Sequence, residues 1–109
     1  MNETDERSVR GLLRSIARTH PQTARELAVV EGRFGARAAF HAAEIVLCLQ
    51  TRVEIWGIEA ASILSEDDLE AFPYFTMMAG NLPALELLID VLECHAAECR
   101  QALTLRQVN

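Results

Sequence analysis

Lysine is missing from this chain of 109 residues: all ten of its basic side chains are arginine. Together with sixteen alanines, that bias fits GC-rich bacterial coding and carries no functional information. Strand signals are also missing, so a sheet is not expected. There is no C-x-x-C pair, no glycine-rich phosphate loop and no strand–turn–helix elbow for a nucleophile. These gaps leave redox, nucleotide and hydrolase chemistry without a recognisable scaffold, and the chain is not expected to be an enzyme. No window of about 18 residues is free of charge, because Arg37, Glu44, Arg52, Glu54 and Glu59 interrupt the most apolar region. That argues against a membrane span. The opening MNETDERS is polar and charged, which is not a secretory signal, so a cytoplasmic location is expected.

Cysteine is scarce and odd in number: Cys48, Cys94 and Cys99. On a helix Cys94 and Cys99 point about 140° apart and do not bridge locally. Reduced, mostly buried thiols are the expectation.

Half of the residues are apolar and 24 % are charged, the profile of one globular domain spanning 1–109 and not of a disordered chain. Net charge is −6 but uneven. Residues 1–52 hold eight arginines against six acids (+2), and residues 53–109 hold two against ten (−8). An intramolecular explanation is that the first helix lies along the acidic second half. A functional one is a partner with a basic surface.

The most apolar stretch is Ala36 to Leu49, in which only Arg37, His41 and Glu44 are polar, on one narrow helical stripe. A helix so apolar needs cover from at least two directions. Before it, residues 5–19 read as a short amphipathic helix. Val9, Leu12, Leu13 and Ile16 form the inner stripe, and Arg7, Arg10, Arg14 and Arg18 the outer one. Asn2 or Thr4 suits its cap, and His20-Pro21 ends it.

From about residue 22 to 64 the helical pattern runs on, weakest at Gly32, Gly35 and Gly57. A kink near Gly32–Gly35 is one use of these glycines. The preferred one is close helix approach along two small-residue rows, Ala28–Gly32–Ala36 and Gly35–Ala39–Ala43. Ser65 suits the cap of a short helix ending near Phe72. A last helix is expected over 82–106, antiparallel to the central one. Leu85, Leu88, Leu92, His95, Cys99 and Leu103 line its apolar face, and Glu86, Glu93, Arg100 and Gln107 its polar face. The fold expected is all-α: a helical bundle with a long central helix and a short N-terminal helix. Its residual apolar surface is covered by a second copy in a dimeric bundle.

Metal chemistry has the sharpest motif. The tetrapeptide HAAE occurs twice, and His41, Glu44 and Cys48 on one helix with His95, Glu98 and Cys99 on another have metal-ligand spacing. The set expected for a metal is His41, Glu44, His95 and Glu98. Ferritin-like di-iron bundles use the opposite order, Glu-x-x-His, with further inward glutamates that are not evident here. Against the metal stands a core histidine at His95 and a charged stripe at Arg37, His41 and Glu44. The arginines of the first helix offer a basic face but lack interleaved aromatics, and nucleic acid is not expected as a partner. Gly32-Arg33-Phe34-Gly35 resembles the GxxG loop of KH domains only superficially, because no strands flank it.

The leading expectation is therefore a small non-enzymatic bacterial interaction protein: an adaptor, chaperone or anti-activator that occludes or bridges a protein partner through apolar helix surface. It would need no cofactor and would form a homodimer. Its contact residues would be Phe72, Tyr74, Phe75, Met77, Met78, Leu85, Leu88 and Leu92, enriched as they are in aromatics and methionine. The alternative for the Phe72–Met78 segment is a plug folded over one end of the helix pair.

Overall fold

The computed structural model describes residues 3–62 and 66–108. Side chains of residues 1–6, 61–66, 69 and 105–109 fall outside the description, and with them the caps expected at Asn2 or Thr4 and at Ser65, and the place of Gln107. Every secondary-structure element among the described residues is helical: α1 (Glu3–Thr19), α2 (Pro21–Phe34), α3 (Ala36–Trp56), a 3-10 turn (Ile58–Ser62), α4 (Glu66–Glu70), α5 (Pro73–Met77) and α6 (Leu82–Val108). Among them no helix is long and apolar enough to cross a membrane.

The first helix forms as its pattern dictates. Val9 and Ile16 are buried, Leu12 and Leu13 pack beside them, and Arg7, Arg10, Arg14 and Arg18 are exposed. It packs chiefly against α2 and α3. The acidic second half is therefore not its main support, and the charge imbalance along the chain does not reduce to that pairing.

The expected helix over 22–64 is two helices and a 3-10 turn. Gly35 has φ +97° and ψ 166°, a region essentially restricted to glycine, and its N–H bonds back to Glu31 O at 2.9 Å. It closes α2 and opens α3 in a single residue. Gly57, with φ +94°, ends α3 in the same way. Close helix approach is not what these glycines serve within the chain, because a Cβ built on Gly32 or Gly35 meets nothing within 4 Å. Hydrophobic period does not reveal this break, since apolar residues recur at helical spacing on both sides of it.

The break lets α2 turn back over α3. Thr23, Leu27 and Val30 of α2 are buried, as are Ala38, Ala39, Ala42, Ala43, Ile45, Val46 and Leu49 of α3. Phe40 is half-buried and Leu47 is 41 % exposed. One chain thus covers most of α3, and the apolarity of 36–49 does not by itself require a second copy.

The last helix starts at Leu82 as expected, runs to Val108, and lies antiparallel to α2, the first part of the expected central helix: Glu98 meets Thr23, and Cys94, one turn earlier, sits near Glu26. Asn81 caps it, its Oδ1 accepting the Ala84 N–H at 3.2 Å. The buried positions are Ala84, Leu87, Leu88, Val91, His95, Ala96, Glu98 and Cys99. These positions follow the 3.6-residue period of a straight helix. Leu85 and Leu92 are left half-buried, and Leu103 is exposed.

Phe72–Met78 is a plug. Tyr74 is fully buried and donates its hydroxyl to Ala84 O at 2.7 Å, Met78 is buried, and Phe72 and Phe75 pack against the same core. Arg52 of α3 holds Asp68 of α4 at 3.3 Å, tying the connection down.

Gly35→Ala is expected to destabilise the fold by about 1–3 kcal/mol, because alanine is strained at that φ and ψ. Gly32→Ala, inside α2 with open space at its Cβ, is expected to stabilise by up to about 1 kcal/mol. Urea unfolding of the two variants, with opposite signs, checks both.

Candidate functional site

The first turn of α2 needs hydrogen-bond acceptors, and its N-cap residue His20 provides no side-chain cap. The acceptor comes from α6. The Glu98 carboxylate takes the Thr23 N–H at 2.7 Å, the Thr23 hydroxyl at 2.6 Å and the Gln22 N–H at 3.1 Å. A buried carboxylate at a helix N-terminus is favoured by both these bonds and the helix dipole. Glu98 thereby docks the middle of α6 on the α1–α2 junction, where the pairing of His20 with Pro21 has already broken the chain's helical path.

The docking brings together three residues that the sequence keeps far apart. Cys99 Sγ lies 3.6 Å from His20 Nε2 and 3.6 Å from His95 Nε2. The two imidazole centroids are 4.8 Å apart. One ligand atom from each residue lies within 4.8 Å of the other two, and all three residues are buried. Gln50 of α3 closes the group, its Oε1 being 3.0 Å from His95 Nε2 and 3.8 Å from Cys99 Sγ.

Protein partners satisfy this cluster in part. Thiol contacts at 3.6 Å are weak. Nδ1 of His95 is, among the described residues, a buried side-chain nitrogen with no hydrogen-bond partner. His20 is better prepared. Its Nδ1 is 2.7 Å from Thr19 Oγ1, and a proton held there leaves the Nε2 lone pair facing the sulfur.

Burial sets the protonation states. It lowers the pKa of His95 to about 4, helped by the neighbouring His20 and opposed by Glu98. It also lowers that of His20, again against Glu98. Both rings are therefore neutral at pH 7; His20 turns its Nε2 lone pair to the sulfur, while His95 gives its Nε2 proton to Gln50 Oε1 and would donate to an ion there from its other tautomer. Burial and Glu98 push the Cys99 thiol up, against a small opposite effect of Arg100. A raised thiol pKa is the wrong direction for an activated nucleophile, whereas a coordinating cation would draw the proton off.

Two cavities adjoin the cluster. One of about 510 Å³ is lined by His20, Gln50, Cys99, Val53, Ile58 and Leu103. The other, of about 350 Å³, reaches His20, His95 and Gln50 from the α1 side.

Of the metal set expected from sequence, only His95 belongs here. His41 pairs with Glu44 at 2.5 Å on its own helix. It lines a shallow depression with Pro73 and Met77, nine residues before Gln50, about 13 Å of helix rise. Glu98 is committed to capping α2. The two HAAE segments do not meet, and His20 and Cys99 take the places given to His41, Glu44 and Glu98. The i, i+4 pairing of His95 with Cys99 is a usable signal in the sequence; His20 stands out there only as a helix stop. Among the expected partner contacts, Tyr74, Met78 and Leu88 are inside the chain's own core, Phe72, Phe75, Leu85 and Leu92 are half-buried, and Met77 is exposed. Among the described residues the most exposed large apolar side chains are Ile55, Trp56 and Leu82.

No family model matches this chain, and no curated protein or solved structure matches it significantly.

Both histidines are held neutral in the fold but take up protons in the unfolded chain below about pH 6.5. Their contribution to stability is present above that pH and is lost as pH falls toward 4, on the order of 3 kcal/mol for His95. Unfolding free energy in chelator-treated protein is expected to drop between pH 6.5 and 4, with a shallower drop in His95→Gln. Equal slopes would contradict the assignment.

Proposed function

We propose that this chain is a transition-metal-binding helical protein that holds one borderline-soft ion on His20, His95 and Cys99. The observation that carries this is the spacing of the donor atoms. With bonds of about 2.3 Å to sulfur and about 2.05 Å to nitrogen, a tetrahedral site separates S and N by about 3.5 Å. Both S···N distances here are 3.6 Å. Neutral imidazoles and a thiolate suit zinc, cobalt or copper and not magnesium or calcium.

A second reading keeps the interaction protein expected from sequence but takes a second copy as the partner and residues other than the expected Phe72–Met78, Leu85, Leu88 and Leu92 as the contact. It is favoured by Ile55 and Trp56, adjacent at the end of α3 and 63 % and 72 % exposed. Large apolar side chains side by side at a helix end are a common seed of a contact. The two readings concern different surfaces and are compatible.

Metal uptake is tested by adding zinc, cobalt or copper to chelator-treated protein without a His tag. One ion per chain and a raised unfolding temperature are expected, with loss of both in His20→Ala and Cys99→Ser. Because binding displaces the Cys99 proton, affinity is expected to rise roughly tenfold per pH unit between pH 6.5 and 7.5, read by competition with a chromophoric chelator. Dimerisation through α3 is tested by sedimentation equilibrium at micromolar concentration. A dimer that Trp56→Glu dissociates supports it, and a wild-type monomer removes it.

A further inference from the structure

Within that metal-binding reading, three protein donors leave a fourth corner of the tetrahedron, and Gln50 stands at it. Gln50 Oε1 accepts the His95 Nε2–H at 3.0 Å and the Cys99 thiol at 3.8 Å, so one oxygen already faces the two protons that an ion would displace. We infer that Gln50 is the fourth donor, and that the resulting set of two imidazoles, one thiolate and one amide oxygen holds copper and cycles between Cu(II) and Cu(I).

Three observations on different parts of the site lead there. The first is the identity of the donors. Structural zinc sites are completed by cysteine, histidine or carboxylate, and an amide is not among their usual ligands. Two histidines and a cysteine with a weak axial ligand, glutamine included, are the donor set of copper electron-transfer centres. The second is that carboxylates near the cluster are used elsewhere or stand back from it. Glu98 caps α2, and Glu54, one turn beyond Gln50 on α3, is exposed at the cavity mouth. The neutral amide is the oxygen that faces the cluster, which leaves the thiolate as the one charged donor, with the Glu98 carboxylate held on α2 behind it.

The third is seclusion. His95 is fully buried, and His20 and Cys99 are 7 % and 6 % exposed. Donors drawn from the α1–α2 junction, α3 and α6 constrain the ion from three directions. That keeps its geometry similar in the two oxidation states, the condition for fast one-electron exchange. The cavities bring the His20 ring within reach of a small one-electron donor or acceptor.

The test uses the full chain with Cys48→Ser and Cys94→Ser, so that Cys99 is its sole thiol, loaded with one equivalent of Cu(II) under argon. A strong visible thiolate-to-copper charge-transfer band is expected. Ascorbate bleaches it by giving one electron to each copper. Ferricyanide restores it by taking that electron and becoming ferrocyanide. Gln50→Leu, which removes the oxygen donor, is expected to keep the band while shifting it and raising the reduction potential. Gln50→Glu, with a stronger donor, is expected to lower the potential.

Copper bound without the band, colour that does not return after one cycle because Cys99 has been consumed, or a potential indifferent to residue 50 would each overturn the inference. So would a chain that takes zinc or cobalt but not copper, although metal binding itself would then stand. A chain that takes up none of the three overturns both. If the two serine changes prevent folding, the same titration on wild-type protein, with Cys99→Ser as the blank, separates the same outcomes.

Discussion

The Glu98 carboxylate at the first turn of α2 is the contact on which the rest of the arrangement depends. It is a buried charge supplied 75 residues downstream of the amide it accepts, and it does what the local N-cap residue does not. With Glu98 turned inward, the rotation of α6 about its axis is fixed, and His95 and Cys99 on either side of it face the α1–α2 junction. The same contact sets the height of α6 along α2, which brings those two residues level with His20. Removing the carboxylate would therefore do more than uncap a helix, since the position of both α6 donors follows from it.

Much of the architecture is legible where side-chain period and chain breakers agree. Val9, Leu12, Leu13 and Ile16 give α1 its inner stripe, and Pro21 and Pro83 mark where helices begin. The separation of α2 from α3 is not legible in that way. A residue such as Gly35 reverses the chain through its own φ and ψ, while the apolar spacing continues undisturbed on both sides. The small residues of α3 mislead for a related reason. A run of alanines looks like surface kept free for a second copy, yet Ala38, Ala39, Ala42 and Ala43 are buried within one chain, on a helix that packs against α1, α2 and α5. On α6, apolar spacing carries the stripe on from Cys99 to Leu103, but among the described residues nothing packs over that end and residues 101–104 are all exposed.

The site is half visible in the sequence. His95 and Cys99 share a helix face, and their spacing shows it. Matching HAAE with HAAE then pairs His95 with the wrong histidine, because similarity of segments carries no information about which faces meet. The histidine that does meet it stands at a helix break, where periodicity has nothing to say. What selects it is the tertiary cap, and the buried imidazoles, raised thiol and unsatisfied nitrogen of His95 become apparent only once α6 is in place.

His20 and Cys99 are 79 positions apart along the chain. A single ion gripping both would turn nearly all of α2, α3, α4, α5 and much of α6 into one closed ring, leaving residues 1–19 and 100–109 as free tails. Ring closure of that length removes about 4–5 kcal/mol of disorder from the unfolded chain, as a cross-link between the same two residues would. A protein without a disulfide would then carry its staple in a form that a chelator, and not a reductant, can open.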